Sequence, residues 1–211
     1  MAGLGQILGH QLRFKGKKRQ VDTYYDTDSH HLLRVGACLR VRDDGEGLRV
    51  TFKSGPQGIG VFVREELEVE IGPHDEDHLM QLDIPPVQEA IRTLGVSPSP
   101  SVPTDENRVA ARWYERRLAA REPEFVPVLR VENHRRTIEL LKGSDVRFEM
   151  ALDQGVFERA DRNSEEPFCE LEIEVVFGDE EELQRVANYL EERFKLRPQQ
   201  HYKCERGMGV G

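Results

Sequence analysis

The sequence predicts an α+β fold that is mainly antiparallel β, and three observations carry the prediction. Several segments alternate apolar and charged residues with a period of two, the pattern by which a strand separates its two faces. Short runs of turn-forming residues divide them: Asp43-Asp44-Gly45-Glu46-Gly47, Ser54-Gly55-Pro56-Gln57-Gly58 and Lys142-Gly143-Ser144. The three- and four-residue apolar spacing of an amphipathic helix is confined to a few stretches.

In chain order, Tyr24 and Tyr25 read as strand packing, because aromatic side chains suit a half-buried pleated surface. His30-His31 reads as a solvated helix start with Leu32 and Leu33 packed beneath; no second histidine pair lies at metal-ligand spacing. Leu39 and Val41 alternate with Arg40 and Arg42, and Val50 and Phe52 with Arg49, Thr51 and Lys53. Over 61–71 one face carries Val63, Leu67, Val69 and Ile71, interrupted by Glu65, and the other Arg64, Glu66, Glu68 and Glu70. A helix starting near Pro86 would bury Val87, Ala90, Ile91 and Leu94 and stop at Gly95, with proline suited to a first turn.

Residues 95–104 (GVSPSPSVPT) sustain neither element. The chain therefore reads as one domain, 1–211, with a first half at 20–95, a linker at 96–107 and a second half at 108–207. Residues 109–121 are helical by composition, with Trp113 and Tyr114 packing against the sheet. Arg136, Ile138 and Leu140 then alternate with Arg135, Thr137 and Glu139. Val146, Phe148, Met150 and Leu152 oppose Arg147, Glu149 and Asp153; Cys169, Leu171, Ile173 and Val175 oppose Glu170, Glu172 and Glu174. Asp179 with Glu182 opens a last helix over 179–194, carried by Leu183, Val186, Ala187, Leu190 and Phe194. The Glu180-Glu181-Glu182 run suits the positive end of that helix dipole.

Composition narrows the function. The 211 residues include 33% charged and 37% hydrophobic, with a formal net charge of −9. An acidic balance speaks against general nucleic-acid binding, which wants excess basic charge. No apolar run approaches the roughly 20 residues that span a bilayer, and no charged-then-apolar leader opens the chain, so no membrane partner is expected. Cys38, Cys169 and Cys204 are too few and too scattered for a disulfide framework or a zinc site; Cys169 and Cys204 read as buried thiols. The expected compartment is reducing, hence cytoplasmic.

Taken singly, each charged strand face is a wet face of an amphipathic sheet. Taken together they ask for more. Glu170, Glu172 and Glu174 repeat like charge along one face, which is costly unless cations sit among them, and Arg40, Arg42, Lys53, Arg64 and Arg135 lie on faces of the same kind. A sheet closed into a barrel would turn these faces inward. Carboxylates at this spacing suit Mg²⁺ or Mn²⁺, and arginines and lysines suit phosphate oxygens.

The order of the motifs resembles a known family. Gln20-Val21-Asp22-Thr23-Tyr24-Tyr25-Asp26-Thr27, then Leu33, Gly36, Leu39-Arg40-Val41-Arg42 and Thr51-Phe52-Lys53, are similar to the CYTH superfamily, the triphosphate tunnel metalloenzymes. The resemblance continues through Arg64-Glu65-Glu66, Arg135, Ala151-Leu152-Asp153-Gln154-Gly155, Cys169-Glu170-Leu171-Glu172-Ile173-Glu174, Tyr202-Lys203 and Arg206-Gly207. It covers about residues 20–207 and is closest to the bacterial inorganic triphosphatase or thiamine triphosphatase type.

The resemblance implies an eight-stranded antiparallel tunnel with flanking helices and metal-dependent hydrolysis of a linear triphosphate such as tripolyphosphate or thiamine triphosphate. It implies phosphate binding by Arg40, Arg42, Lys53, Arg64, Arg135 and Lys203, with Lys53, Arg64 and Lys203 as the catalytic cations. It assigns Glu172 and Glu174, with Glu170 beside them, to Mg²⁺ or Mn²⁺, and Glu66, Glu68 and Asp153 as further carboxylates. One departure stands out. The family opens on a strand reading Glu-x-Glu-x-Lys; here the nearest stretch, His10-Gln11-Leu12-Arg13-Phe14-Lys15, lacks both glutamates. The expected tunnel is therefore one whose N-terminal strand is missing or degenerate, leaving an open seam. Two other readings accompany the enzyme: a non-catalytic polyphosphate-binding module, and an inert β-barrel interaction domain.

Overall fold

The computed structural model describes residues 5–54, 65–94, 124–162, 165–178, 180–199 and 201–210. Its frame is eight strands: β1 (Gln6–Ile7), β2 (His10–Thr27), β3 (Cys38–Asp43), β4 (Leu48–Ser54), β5 (Glu65–Ile71), β6 (Phe125–Lys142), β7 (Asp145–Arg159) and β8 (Glu165–Val175). All pairings are antiparallel, in the order β5-β4-β3-β2-β6-β7-β8, with β1 folded back on the start of β2. The sheet is open, and among the described residues no pairing joins the edge strands β5 and β8. The tunnel frame is thus present as an antiparallel sheet with its seam unclosed.

Two helices lie in connections between strands, α1 (His31–Arg34) and α2 (Pro85–Thr93), with a 3₁₀ turn at Glu76–Gln81; α3 (Glu180–Phe194) and α4 (Lys203–Gly207) follow β8. Pro85 and Pro86 open α2, where a missing N–H costs nothing. The 61–64 part of the expected strand (Arg64 included), the 96–107 linker, the 109–121 helix with Trp113 and Tyr114, and Asp179 lie outside the described residues.

Two features depart from the expectations drawn from sequence. Strand β2 begins at His10, well before residue 20, because cross-strand ion pairs with β6 replace an apolar stripe: Arg13 donates to Glu139 at 2.7 Å and Arg19 to Glu132 at 2.9 and 2.8 Å. A register shift between Phe14 and Gly16 breaks its period. Cys204 is buried as expected, whereas Cys169 is exposed: α3 covers Leu171 and Ile173 of the edge strand β8 and leaves Cys169 in solvent.

Among the described residues, buried apolar side chains fall into three clusters. Leu39, Val41, Val50 and Phe52 of β3 and β4 pack under Leu32 of α1 and Val87 and Ala90 of α2. Leu140, Phe148 and Met150 of β6 and β7 pack under Val186 and Leu190 of α3, together with Ile7. The third cluster joins Tyr24, Leu129, Val131 and Phe157 to Cys204 and Met208 at α4. Gly207 lets α4 lie this close: a Cβ there would stand 2.6 Å from a Leu129 methyl and 2.8 Å from the Phe157 ring.

Residues directly opposite on paired strands share a face. The register sets Asp22 against Arg42, Arg40 against Thr51, Thr51 against Glu68 and Lys53 against Glu66. Across the middle Asp22 faces Val131 and Lys18 faces Arg135; beyond it Arg135 faces Asp153, Asp153 faces Glu170, and Ala151 faces Glu172. One face of the whole sheet therefore carries the candidate charges and receives α4; the other carries the two helix-covered clusters together with ion pairs such as Arg19–Glu132 and Arg130–Glu158.

Candidate functional site

Most of the sequence-derived candidates fall into two of the ion-paired groups on the charged face. The first gathers around Asp153, whose side chain is 0% exposed. Arg135 on the neighbouring strand grips it with two hydrogen bonds, Nε to Oδ1 at 2.9 Å and Nη2 to Oδ2 at 2.7 Å. Lys203 Nζ, brought over by α4, donates to Asp153 Oδ2 at 2.8 Å and lies 2.6 Å from Glu170 Oε1 and 3.4 Å from Glu172 Oε1. Arg135 Nη2 also reaches Glu172 Oε2 at 2.5 Å. Arg206, one turn along α4, pairs with the other oxygen of Glu170. The Phe168 ring lies beneath both cations of α4, 5.5 Å from Lys203 and 6.0 Å from Arg206, and Phe157 lies 5.7 Å from Arg206.

The three carboxylates offer oxygens that all lie within 4.8 Å of one another. Their protonation follows from the company they keep. Burial by itself would push Asp153 up, but Arg135 and Lys203 hold it well below the usual carboxylate range. Glu172 is lowered in the same way: Lys203 and Arg135 outweigh its burial. Burial pulls Arg206 down from the usual guanidinium value.

The second group lies on the first half of the sheet. Asp22, 1% exposed, is gripped by Arg42 through Nε at 2.6 Å and Nη2 at 2.7 Å, with Arg40 Nη1 at 3.5 Å. Arg40 donates from Nη2 to the Thr51 hydroxyl at 3.1 Å, and that hydroxyl donates to Glu68 at 3.0 Å. Lys53 donates to Glu66 at 2.9 Å. Burial opposes the charge on Arg40, yet Asp22 keeps its pKa above the ordinary value; Lys53 is lowered by burial and by Arg40 beside it. Three buried arginine donors have no hydrogen-bond partner among the described residues: Arg40 Nε and Arg206 Nε at this site, and Arg147 Nε beside Glu182. Burial by itself would push Asp22 up, but Arg40 and Arg42, with a smaller contribution from Lys203, hold it below the ordinary value.

The sequence-derived candidates are distributed unevenly across this face. Arg135, Lys203, Asp153, Glu170 and Glu172 meet in the first group, and Arg40, Arg42, Lys53, Glu66 and Glu68 line the second. Glu66 and Glu68 sit on β5, at the opposite edge of the sheet from the Asp153 group. Glu174 is exposed opposite Glu149, away from the three gathered carboxylates. Arg64 lies outside the described residues.

Three participants were given no role from sequence: Asp22, Thr51 and Arg206. A signal for Arg206 is its spacing, since three residues after Lys203 is the same face of a short helix. Asp22 had a weaker one, a charged residue alternating with Tyr24 on a strand otherwise packed inward.

Donor chemistry agrees with a hard divalent cation. Three carboxylates, with no histidine or cysteine among them, are the oxygen-rich set that Mg²⁺ and Mn²⁺ prefer.

Fold and site together define a class of protein: an antiparallel sheet with flanking helices whose one charged face gathers carboxylates and guanidinium groups under a short capping helix. The chain belongs to the CYTH domain family, whose family model matches residues 6–208. The fold is also that of several solved structures. A candidate adenylyl cyclase from Hippeastrum, described as having a dominant triphosphatase activity, aligns at a TM-score of 0.56 and 18% identity over 93% of this chain and 84% of that one. A protein from Pyrococcus horikoshii aligns at 0.52 and 18% identity over 95% and 89% of the two chains. A candidate adenylate cyclase from Bacillus halodurans aligns at 0.51 and 16% identity over 96% and 98%. No curated protein matches the chain at a significant level. Among the described residues no helix is long and apolar enough to cross a membrane.

Proposed function

We propose that this chain, acting as a single CYTH-type domain, hydrolyses a linear triphosphate such as inorganic tripolyphosphate or thiamine triphosphate with the help of Mg²⁺ or Mn²⁺. The observation that carries the reading is the convergence of Asp153, Glu170 and Glu172 within 4.8 Å beside Arg135 and Lys203. The unpartnered Nε donors of Arg40 and Arg206 support it, because a buried N–H without a partner is suited to an anion that brings its own oxygens.

In this reading Asp153, Glu170 and Glu172 hold the metal, which when bound neutralises phosphate charge and lowers the pKa of water. Arg40, Arg42, Lys53, Arg135 and Lys203 hold and orient the phosphates, joined by Arg64. Lys53 and Lys203, with Arg64 as the resemblance implies, would be the catalytic cations, whose positive charge favours the transition state over the ground state. The reading assigns a small-molecule substrate in the cytoplasm, with neither a nucleic-acid nor a membrane partner.

The test is phosphate release from tripolyphosphate, thiamine triphosphate and nucleoside triphosphates with Mg²⁺ or Mn²⁺. Turnover of at least one, lost on chelation, is the expected outcome; a folded protein that releases no phosphate from any of them refutes it. One observation favours a second reading, a non-catalytic polyphosphate-binding module: every carboxylate of the metal-ligand group is already ion-paired. That module would bind tripolyphosphate in calorimetry without turnover, and Arg40→Ala with Lys53→Ala would abolish binding.

A further inference from the structure

Lys203 Nζ occupies the centre of the carboxylate group. It lies 2.8 Å from Asp153, 2.6 Å from Glu170 and 3.4 Å from Glu172, with its side chain 10% exposed. A divalent cation shared by the same three residues needs their oxygens at roughly 2.0–2.6 Å, in the space the ammonium fills. The ammonium and the ion are alternatives.

Charge leads to the same conclusion. Asp153, Glu170 and Glu172 are balanced by Arg135, Lys203 and Arg206, so an ion entering this network unaided adds two positive charges to a neutral and largely buried cluster. One cation must leave. Arg135 is locked by its two-pronged grip on Asp153, and Arg206 is paired with Glu170 and lies against the stacked rings of Phe157 and Phe168. Lys203 is a compact charge on a flexible stem, the group best able to swing away. Once displaced it needs a new counter-charge within reach of α4.

We propose that Lys203 is an exchange cation: it holds the carboxylates while metal is absent, and metal entry transfers its ammonium to a phosphate oxygen of the incoming triphosphate. The proposal rests on the triphosphate–metal reading above and adds its order and regulation. Metal and triphosphate bind as a mutually dependent pair, so a divalent ion alone binds weakly and the anion tightens it. By thermodynamic linkage the ion tightens the anion by the same factor.

The test measures Mn²⁺ binding by calorimetry and by the spin-resonance signal of free Mn²⁺, with and without a non-hydrolysable imidotriphosphate. It uses the full chain and Lys203→Met, which keeps the apolar stem over Phe168, with Lys203→Gln as a second variant and thermal melts to verify folding of each. Imidotriphosphate is expected to tighten Mn²⁺ at least about fivefold in the unsubstituted protein. Both variants, left with one uncompensated carboxylate, should bind Mn²⁺ alone at least about fivefold more tightly, and their coupling factor should fall toward one. Mn²⁺ affinities equal to the parent's, or a coupling factor that survives the substitution, overturn the exchange while leaving metal-dependent turnover standing. Absence of Mn²⁺ binding in all three proteins, with and without the analogue, overturns the exchange and the metal-dependent reading together.

Discussion

Replacing Asp153 by Asn removes one charge and almost no volume from the centre of the site, so its effect on stability isolates electrostatics. The carboxylate is 0% exposed and receives Arg135 at 2.9 and 2.7 Å and Lys203 at 2.8 Å. An asparagine keeps one acceptor oxygen and turns an NH₂ group toward donors that have nothing to accept with. Each lost charge-assisted bond is worth about 1.5–3 kcal/mol, and breaking a buried pair costs about 3–5 kcal/mol. Arg135 and Lys203 keep Glu172 and Glu170 as second partners, which places the expected loss at the lower end, about 3 kcal/mol at pH 7. Urea unfolding measures it as a lower midpoint at an unchanged slope.

The dependence on pH gives the experiment its discrimination. The folded Asp153 lies well below the unfolded value of 3.8, so its contribution is fully present above that pH and fades as pH falls toward the folded value. A protonated aspartic acid resembles asparagine, so the gap between parent and Asp153→Asn should narrow below about pH 4. A loss under about 1 kcal/mol at pH 7, or a gap that stays constant down to pH 3, refutes the ion-pair account.

Gly207→Ala tests the docking of α4: its methyl would meet Leu129 at 2.6 Å and Phe157 at 2.8 Å, and overpacking of this kind costs about 1–3 kcal/mol. Thermal melting should show a lower transition, and an unchanged one contradicts the packing described. Glu182→Gln tests the joint between α3 and the β6–β7 hairpin. Arg147 at 2.6 Å and Lys142 at 3.1 Å hold the Glu182 carboxyl down to about 2 against an ordinary 4.5. That pairing stabilises the fold above pH 4.5 and is lost between there and about pH 2, so the deficit of the variant, about 2 kcal/mol at neutral pH, should shrink over that range. Urea midpoints that differ equally at pH 7 and pH 3 contradict it.

The strands were most legible where one face is apolar. Leu39 and Val41, Val50 and Phe52, and Phe148 and Met150 announce their period because water exclusion acts on each residue separately. The start of β2 had no such signal: between His10 and Gln20 its inner-face cations are held by Glu139 and Asp44, and these partners are known only once the strands are paired. The same reason hid part of the site. Arg135, Asp153 and Lys203 stand in recognisable motifs, whereas the burial of Asp22 between Arg40 and Arg42 and the seat of Arg206 over Phe168 are consequences of tertiary packing. Cys169 shows the converse, since an alternating pattern marks a face without saying whether a helix covers it.

The long pairing of β2 with β6 also shapes how the chain must fold. The meanders β3–β5 and β6–β8 close through neighbouring strands, whereas the β2–β6 ladder joins Gln11 to Leu141 and Thr27 to Phe125 across the whole first half. Loop-closure entropy has to be met before that ladder rewards it, and high contact order slows folding. The two meanders should therefore gain protection from hydrogen exchange early and the β2–β6 amides late. Asp153, Glu170, Glu172 and Arg135 all belong to the β6–β8 meander and would gather with it, whereas Lys203, carried by α4 onto a cluster that includes Tyr24 of β2, would join them only late in folding.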